Sequence, residues 1–83
     1  MEETKIYNTK ELRNKLIEDT LKEVKEILEE RGYNPYNQIV GYLISGDPGY
    51  ISSYKDARKK IQSVNRSDLL ALLVNEYLQK WDI

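Results

Sequence analysis

Every glycine and every proline of this 83-residue chain lies between Gly32 and Gly49. The stretch containing them, GYNPYNQIVGYLISGDPGYI at residues 32–51, holds a single charge, Asp47. Glycine and proline are the strongest local punctuation a chain possesses. A sequence that confines both to one window can run unbroken helices on either side of it. Its sharpest changes of direction must then fall inside the window. That constraint favours a few helices joined by short, specified connections.

The flanks carry the matching period. Leu12, Leu16, Ile17, Leu21, Val24, Ile27 and Leu28 recur at three- and four-residue steps, which predicts an amphipathic helix over 10–31. Its charged face includes the favourable order Glu18 to Lys22. Gly32 then suits a left-handed C-cap. Asn34-Pro35 reads as an N-cap and first helical position, opening a short helix over 35–44 with an apolar stripe of Ile39, Val40, Leu43 and Ile44. Gly41 inside it costs up to about 1 kcal/mol against alanine, which predicts close approach of another backbone. Gly46 ends that helix. Asp47-Pro48-Gly49 turns the chain, with Asp47 placed to cap one short helical turn through Tyr50 and Ile51.

Ser53 with Asp56 approximates a capping box, and predicts a helix over 54–64 with Tyr54, Ala57, Ile61 and Val64 on one side. Asn65 with Asp68 gives an N-cap for a last helix over 66–81. Its apolar set (Leu69, Leu70, Leu72, Leu73, Val74, Tyr77, Leu78, Trp81) is wider than one stripe, so it needs cover on more than one side. Residues 1–9, MEETKIYNT, show no period and read as a flexible N-terminal tail. No strand-like alternation of useful length occurs. The expected fold is all-α, a compact bundle of about four helices plus a short helical turn, forming one domain over 10–83.

A chain this short buries only about 60% of its unfolded surface, so such domains often depend on a further staple. Cysteine and histidine are both absent. Disulfides, thiolate metal sites and the commonest metal ligand are therefore excluded, and no metal or cofactor is expected. Self-association remains, so a tightly packed or intertwined homodimer is expected. Thirteen basic residues against fourteen acidic ones argue weakly against nucleic acid as the main partner. No apolar run approaches the roughly 20 residues needed to insert into a bilayer. Met1-Glu2-Glu3 does not open a signal peptide, and a cytoplasmic location is expected.

Candidate chemistry is sparse. The neighbouring carboxylates Glu18/Asp19 and Glu29/Glu30 have the residue types for acid–base work; a solvated helix face is the competing reading. Gly46-Asp47-Pro48-Gly49 lacks the spacing of a phosphate loop and reads as a helix stop with a tight turn. The tyrosines have rings that can stack on bases, or pack with their hydroxyls bonded. The basic concentration lies over Lys55–Arg66: Lys55, Arg58, Lys59, Lys60 and Arg66, with one acid, Asp56. It reads either as a solvated face or as a site for an anionic partner, with Lys55, Arg58, Lys59 and Arg66 as its candidates. The helix pair 54–64 and 66–81 also has the outline of a helix-turn-helix, which leaves a small nucleic-acid-binding regulator as the alternative. Its presumed reading helix is leucine-rich, with few base-reading side chains. An enzyme is the poorest reading for a chain without His or Cys.

The middle of the chain resembles the IreB/ReoM family of small bacterial regulatory phosphoproteins. The residues that carry the resemblance are Gly32, Tyr33, Asn34, Pro35, Asn37, Gln38, Ile39, Val40, Gly41 and Tyr42, then Ser45, Gly46, Asp47, Pro48 and Tyr50, and later Ala57 and Arg58. Tyr36 and Gly49 depart from the family pattern. The resemblance covers about residues 31–78. It implies a non-enzymatic, all-helical homodimer that is a substrate of a membrane Ser/Thr kinase with PASTA repeats, found in Gram-positive bacteria. It also implies control of peptidoglycan synthesis, in some members through turnover of MurA by a Clp protease. By similarity of the tail, ETKIYN, the phosphoacceptor is placed on Thr4, with Thr9 as second candidate. Phosphorylation would make the acidic tail a compact anionic patch. The tail and the 55–66 face are thus expected to form one partner-binding region, gated by Thr4.

Overall fold

A computed structural model describes residues 9–81. Its helices are α1 (Thr9–Glu30), α2 (Pro35–Ser45), α3 (Ala57–Gln62) and α4 (Arg66–Leu78), with short 3-10 turns at Pro48–Tyr50, Tyr54–Asp56 and Gln79–Trp81. No strand occurs among the described residues. The fold is all-α, as the sequence predicts. Thr4 lies outside the described residues. Thr9, assigned to the tail by its sequence, is helical in α1.

The window of special residues builds the α1–α2 and α2–α3 connections. The Tyr33 N–H donates to the Leu28 carbonyl and the Gly32 N–H to that of Glu29, both at 2.9 Å, closing α1 with a Schellman motif. The Asn37 N–H donates to Asn34 Oδ1 at 3.2 Å, and Pro35 follows as the first helical residue. At the other end Gly46, at φ +76, donates its N–H to the Tyr42 carbonyl at 2.7 Å. Asp47 Oδ1 accepts the Gly49 N–H at 2.8 Å and so caps the turn Pro48–Tyr50. Each stop and start is thus satisfied by a neighbour in sequence, which is why these boundaries could be read locally.

The core runs along α1. Ile17, Val24, Ile27 and Leu28 pack with Tyr42, Ile51, Ala57, Ile61, Val64 and Leu69. No polar side chain is buried among the described residues. Ion pairs Lys60–Glu23 and Lys55–Glu30 flank the contact, and their order shows α3 running antiparallel to α1. Ala57, with no exposed surface, lets the two helices approach closely.

Three expectations differ. Leu12 and Leu16 belong to the apolar stripe of α1 but remain 55% and 59% exposed. With six residues, α3 spans about 9 Å of a helix about 33 Å long, so it cannot reach them. Gly41 admits a side chain rather than a backbone: a Cβ there would lie 2.5 Å from Cδ1 of Tyr50. The third difference is at Ser53 and Asp56, which do not form a capping box. Ser53 makes no capping bond, and α3 starts only at Ala57. Lys55 and Asp56 are both left-handed, at φ +47 and +64. Tertiary bonds impose this, because Tyr54 and Lys55 both reach back to Glu30 at the end of α1, while Arg58 Nε donates to the Ile51 carbonyl at 2.8 Å.

Two substitutions test this packing. Gly41→Ala should destabilise the domain when Tyr50 is present, yet stabilise it by about 0.5–1 kcal/mol in a Tyr50→Ala background, where only helix propensity remains. Equal effects in both backgrounds, read from urea midpoints, would contradict the ring contact. Asp56→Gly should raise stability by about 1 kcal/mol by relieving the left-handed conformation; a lower urea midpoint would count against it.

Candidate functional site

The basic residues singled out in the sequence separate into three settings. Lys55 is committed to Glu30, donating from Nζ to both carboxylate oxygens at 2.8 and 3.1 Å. The Tyr54 hydroxyl donates to the same carboxylate at 3.1 Å. The Lys55 and Tyr54 hydrogen bonds hold the Glu30 carboxyl below the usual glutamate range. Glu30 in turn raises the Lys55 ammonium above the usual lysine range, by its hydrogen bond and then its charge. The Arg31 guanidinium lies 5.0 Å from the centre of the Tyr54 ring and the Lys55 ammonium 5.6 Å, adding cation–π attraction at the same place.

Arg66 has a structural post. As the first residue of α4 it donates from Nη1 to the Leu43 carbonyl at 2.8 Å, in the last turn of α2. Its guanidinium occupies the space a Cβ on Gly46 would enter, with Nη2 at 3.0 Å. A cation at a helix C-terminus satisfies an orphan carbonyl and complements the helix dipole. Gly46 is therefore needed twice, for its backbone conformation and to admit Arg66.

Arg58 and Lys59, already neighbours in sequence, are the third setting. They line a cleft of about 220 Å³ with Ser53 and Asp56. Arg58 is half-buried and held through Nε, whereas Lys59 is exposed. Lys60 turns away to Glu23 at 3.2 Å. The Lys55–Arg66 concentration thus leaves a smaller cationic face than its charge count implies.

The other candidates resolve into structure. Asp19 and Glu29 pair with Lys15 and Lys25 one turn back, on the solvated face of α1. Asp47 in the GDPG turn already holds the Gly49 amide. Tyr42 is core and Tyr54 bonds Glu30, whereas Tyr33, Tyr36, Tyr50 and Tyr77 are exposed. Sequence reasoning named Glu30 only as an acid–base candidate beside Glu29, and missed its link to Tyr54 and Lys55. That link has no local signal, because the two partners lie 24 and 25 positions ahead.

A second surface is apolar and uncovered. On α2, Tyr36 and Ile44 are 71% and 79% exposed, with half-buried Val40 between them on the same face. On α4 only Leu69 is buried, while Leu70, Val74 and Tyr77, followed by Trp81 in the 3-10 turn beyond it, are exposed at alternating four- and three-residue spacing. The Tyr77 and Trp81 rings meet edge to face at 5.1 Å. A single-stripe surface helix does not need such a second face.

The family model described as IreB regulatory phosphoprotein matches residues 2–79. The chain belongs to this family. The IreB match spans Thr4, Thr9, the glycine–proline window and the whole of the basic face. Among the described residues, no helix of this IreB member is long and apolar enough to cross a membrane.

The Glu30 link has a defined pH dependence. Because the folded carboxyl titrates low, its contribution is present above the ordinary glutamate range and is lost as pH falls through the folded value. Because Lys55 titrates high, its contribution is present below the ordinary lysine range and is lost as pH rises through the raised value. Carbon-13 NMR titration of the Glu30 carboxyl should move upward in Lys55→Ala. An unchanged titration would show that the pair does not exist in solution.

Proposed function

We propose that this IreB family member is a non-enzymatic, cytoplasmic regulatory adaptor. Its N-terminal tail carries the phosphoacceptor Thr4, with Thr9 as the second candidate. A membrane Ser/Thr kinase with PASTA repeats transfers the γ-phosphoryl group of ATP to the threonine oxygen, releasing ADP and a proton. The phosphorylation state then adjusts peptidoglycan synthesis through Clp-dependent turnover of MurA. The observation that carries this reading is the family match over residues 2–79, under the description of a regulatory phosphoprotein.

The geometry supports it in two ways. Arg58 and Lys59 are adjacent around one cleft and suit an acidic partner surface. The uncovered faces of α2 and α4 suit a second copy of the chain, with residues 35–44 and 66–81 as the contact. Burial there would cover apolar surface that the isolated fold leaves in water. Lys55 and Arg66 stand beside them as further partner-binding candidates, with charges that also serve internal contacts.

MurA half-life in cells should change in Thr4→Ala and in Lys59→Glu, a substitution at an exposed side chain outside the core. Half-lives equal to wild type in both would overturn the adaptor reading. Separately, sedimentation equilibrium should give the mass of two chains. Val74→Lys with Tyr77→Lys should reduce it to one, and a wild-type monomer would overturn the dimer.

A further inference from the structure

α1 sets a limit on where the N-terminal segment can go. Thr9 and Glu30 are separated by 21 helical steps, about 31 Å along the axis. Thr4 lies five residues before Thr9, so even fully extended it reaches at most about 18 Å from there. Lys55, bound to Glu30, is out of range within one chain. A different surface is within reach. Lys10, Arg13 and Asn14 of α1, with Asp68, Ala71 and Leu72 of α4, line a groove of about 410 Å³. It lies immediately beside the point where residues 1–8 join α1. Neither Lys10 nor Arg13 makes an ion pair among the described residues.

We infer that this groove is the docking site of the chain's own residues 1–8, and that phosphate on Thr4 strengthens the docking. The inference rests on the Thr4 reading above for its regulation, but not for the groove. Two features match the occupant to the site. Segment length permits it, since the groove follows only the first turns of α1. Charge favours it once Thr4 is phosphorylated: Glu2, Glu3 and Lys5 leave the unmodified segment with a small negative side-chain charge, and the phosphate adds to it opposite the basic wall of Lys10 and Arg13. Ile6 and Tyr7 supply apolar side chains for Ala71 and Leu72. Asp68 on the opposite wall repels the phosphate and steers it toward α1. A phosphothreonine adds about −1.5 to −2 charges and strong acceptors suited to Arg13. The docked segment would cover α4 beside its exposed seam, so phosphorylation would alter the surface offered to partners.

The chain has no cysteine, so Glu2→Cys accepts a single nitroxide label. The full-length labelled protein is made with threonine or with genetically encoded phosphothreonine at position 4, which removes any dependence on a kinase. Paramagnetic broadening of the Ala71 and Leu72 amides is expected with phosphothreonine. The docked-to-free ratio should exceed that of the unmodified chain by roughly tenfold, the value of one charge-assisted hydrogen bond. Lys10→Gln with Arg13→Gln should abolish that difference. Equal broadening in the two forms would overturn the proposed strengthening. No broadening at α4, or broadening found only when labelled and isotope-enriched chains are mixed, would overturn docking within the chain. Mass spectrometry of kinase-treated protein separately reports whether Thr4 is modified, so loss of the Thr4 reading and loss of the docking are distinguishable.

Discussion

The antiparallel contact between α1 and the short α3 sets the rest of the structure. Ala57 and Ile61 seat against the apolar stripe of α1, with Lys60 and Lys55 paired to Glu23 and Glu30 at its edges. Seating a helix of six residues there forces the chain to arrive through two left-handed residues. It also leaves the first turns of α1 and the outer face of α4 without cover. The strained junction and the bare apolar surface share one origin, a core that one short helix completes.

The parts of the fold legible in the sequence are those decided between close neighbours. Gly32, Asn34, Pro35, Gly46 and Asp47 make their bonds within a few residues, so local turn chemistry located them. The start of α3 was misread because Ser53 and Asp56 obey a local rule that Glu30 and the Ile51 carbonyl override from a distance. Tyr50 against Gly41 was read correctly as a close approach and wrongly as backbone, because spacing alone cannot say which atom arrives. The basic face shows the same division. Its charges were visible, but the internal commitments of Lys55 and Arg66 required the folded chain.

The distribution of polar groups bears on function. Among the described residues the core is hydrophobic, with Tyr42 as its one phenol, and the charged groups lie at the surface, where contacts with partners are made. Arg58 and Lys59 form one such place, the groove of Lys10 and Arg13 a second, and the apolar seam of α4 a third. A single phosphate is a large perturbation for a chain whose charges nearly cancel. It can redistribute contacts among these surfaces without any change in the core.

The central claim is that modification of the N-terminal segment changes what the folded domain binds. The most direct measurement is quantitative mass spectrometry of proteins cross-linked to the full chain, prepared with threonine or phosphothreonine at position 4. The account predicts at least one partner captured in one state and depleted in the other, with the difference reduced by Lys59→Glu. The same partners in the same proportions from both forms would contradict it.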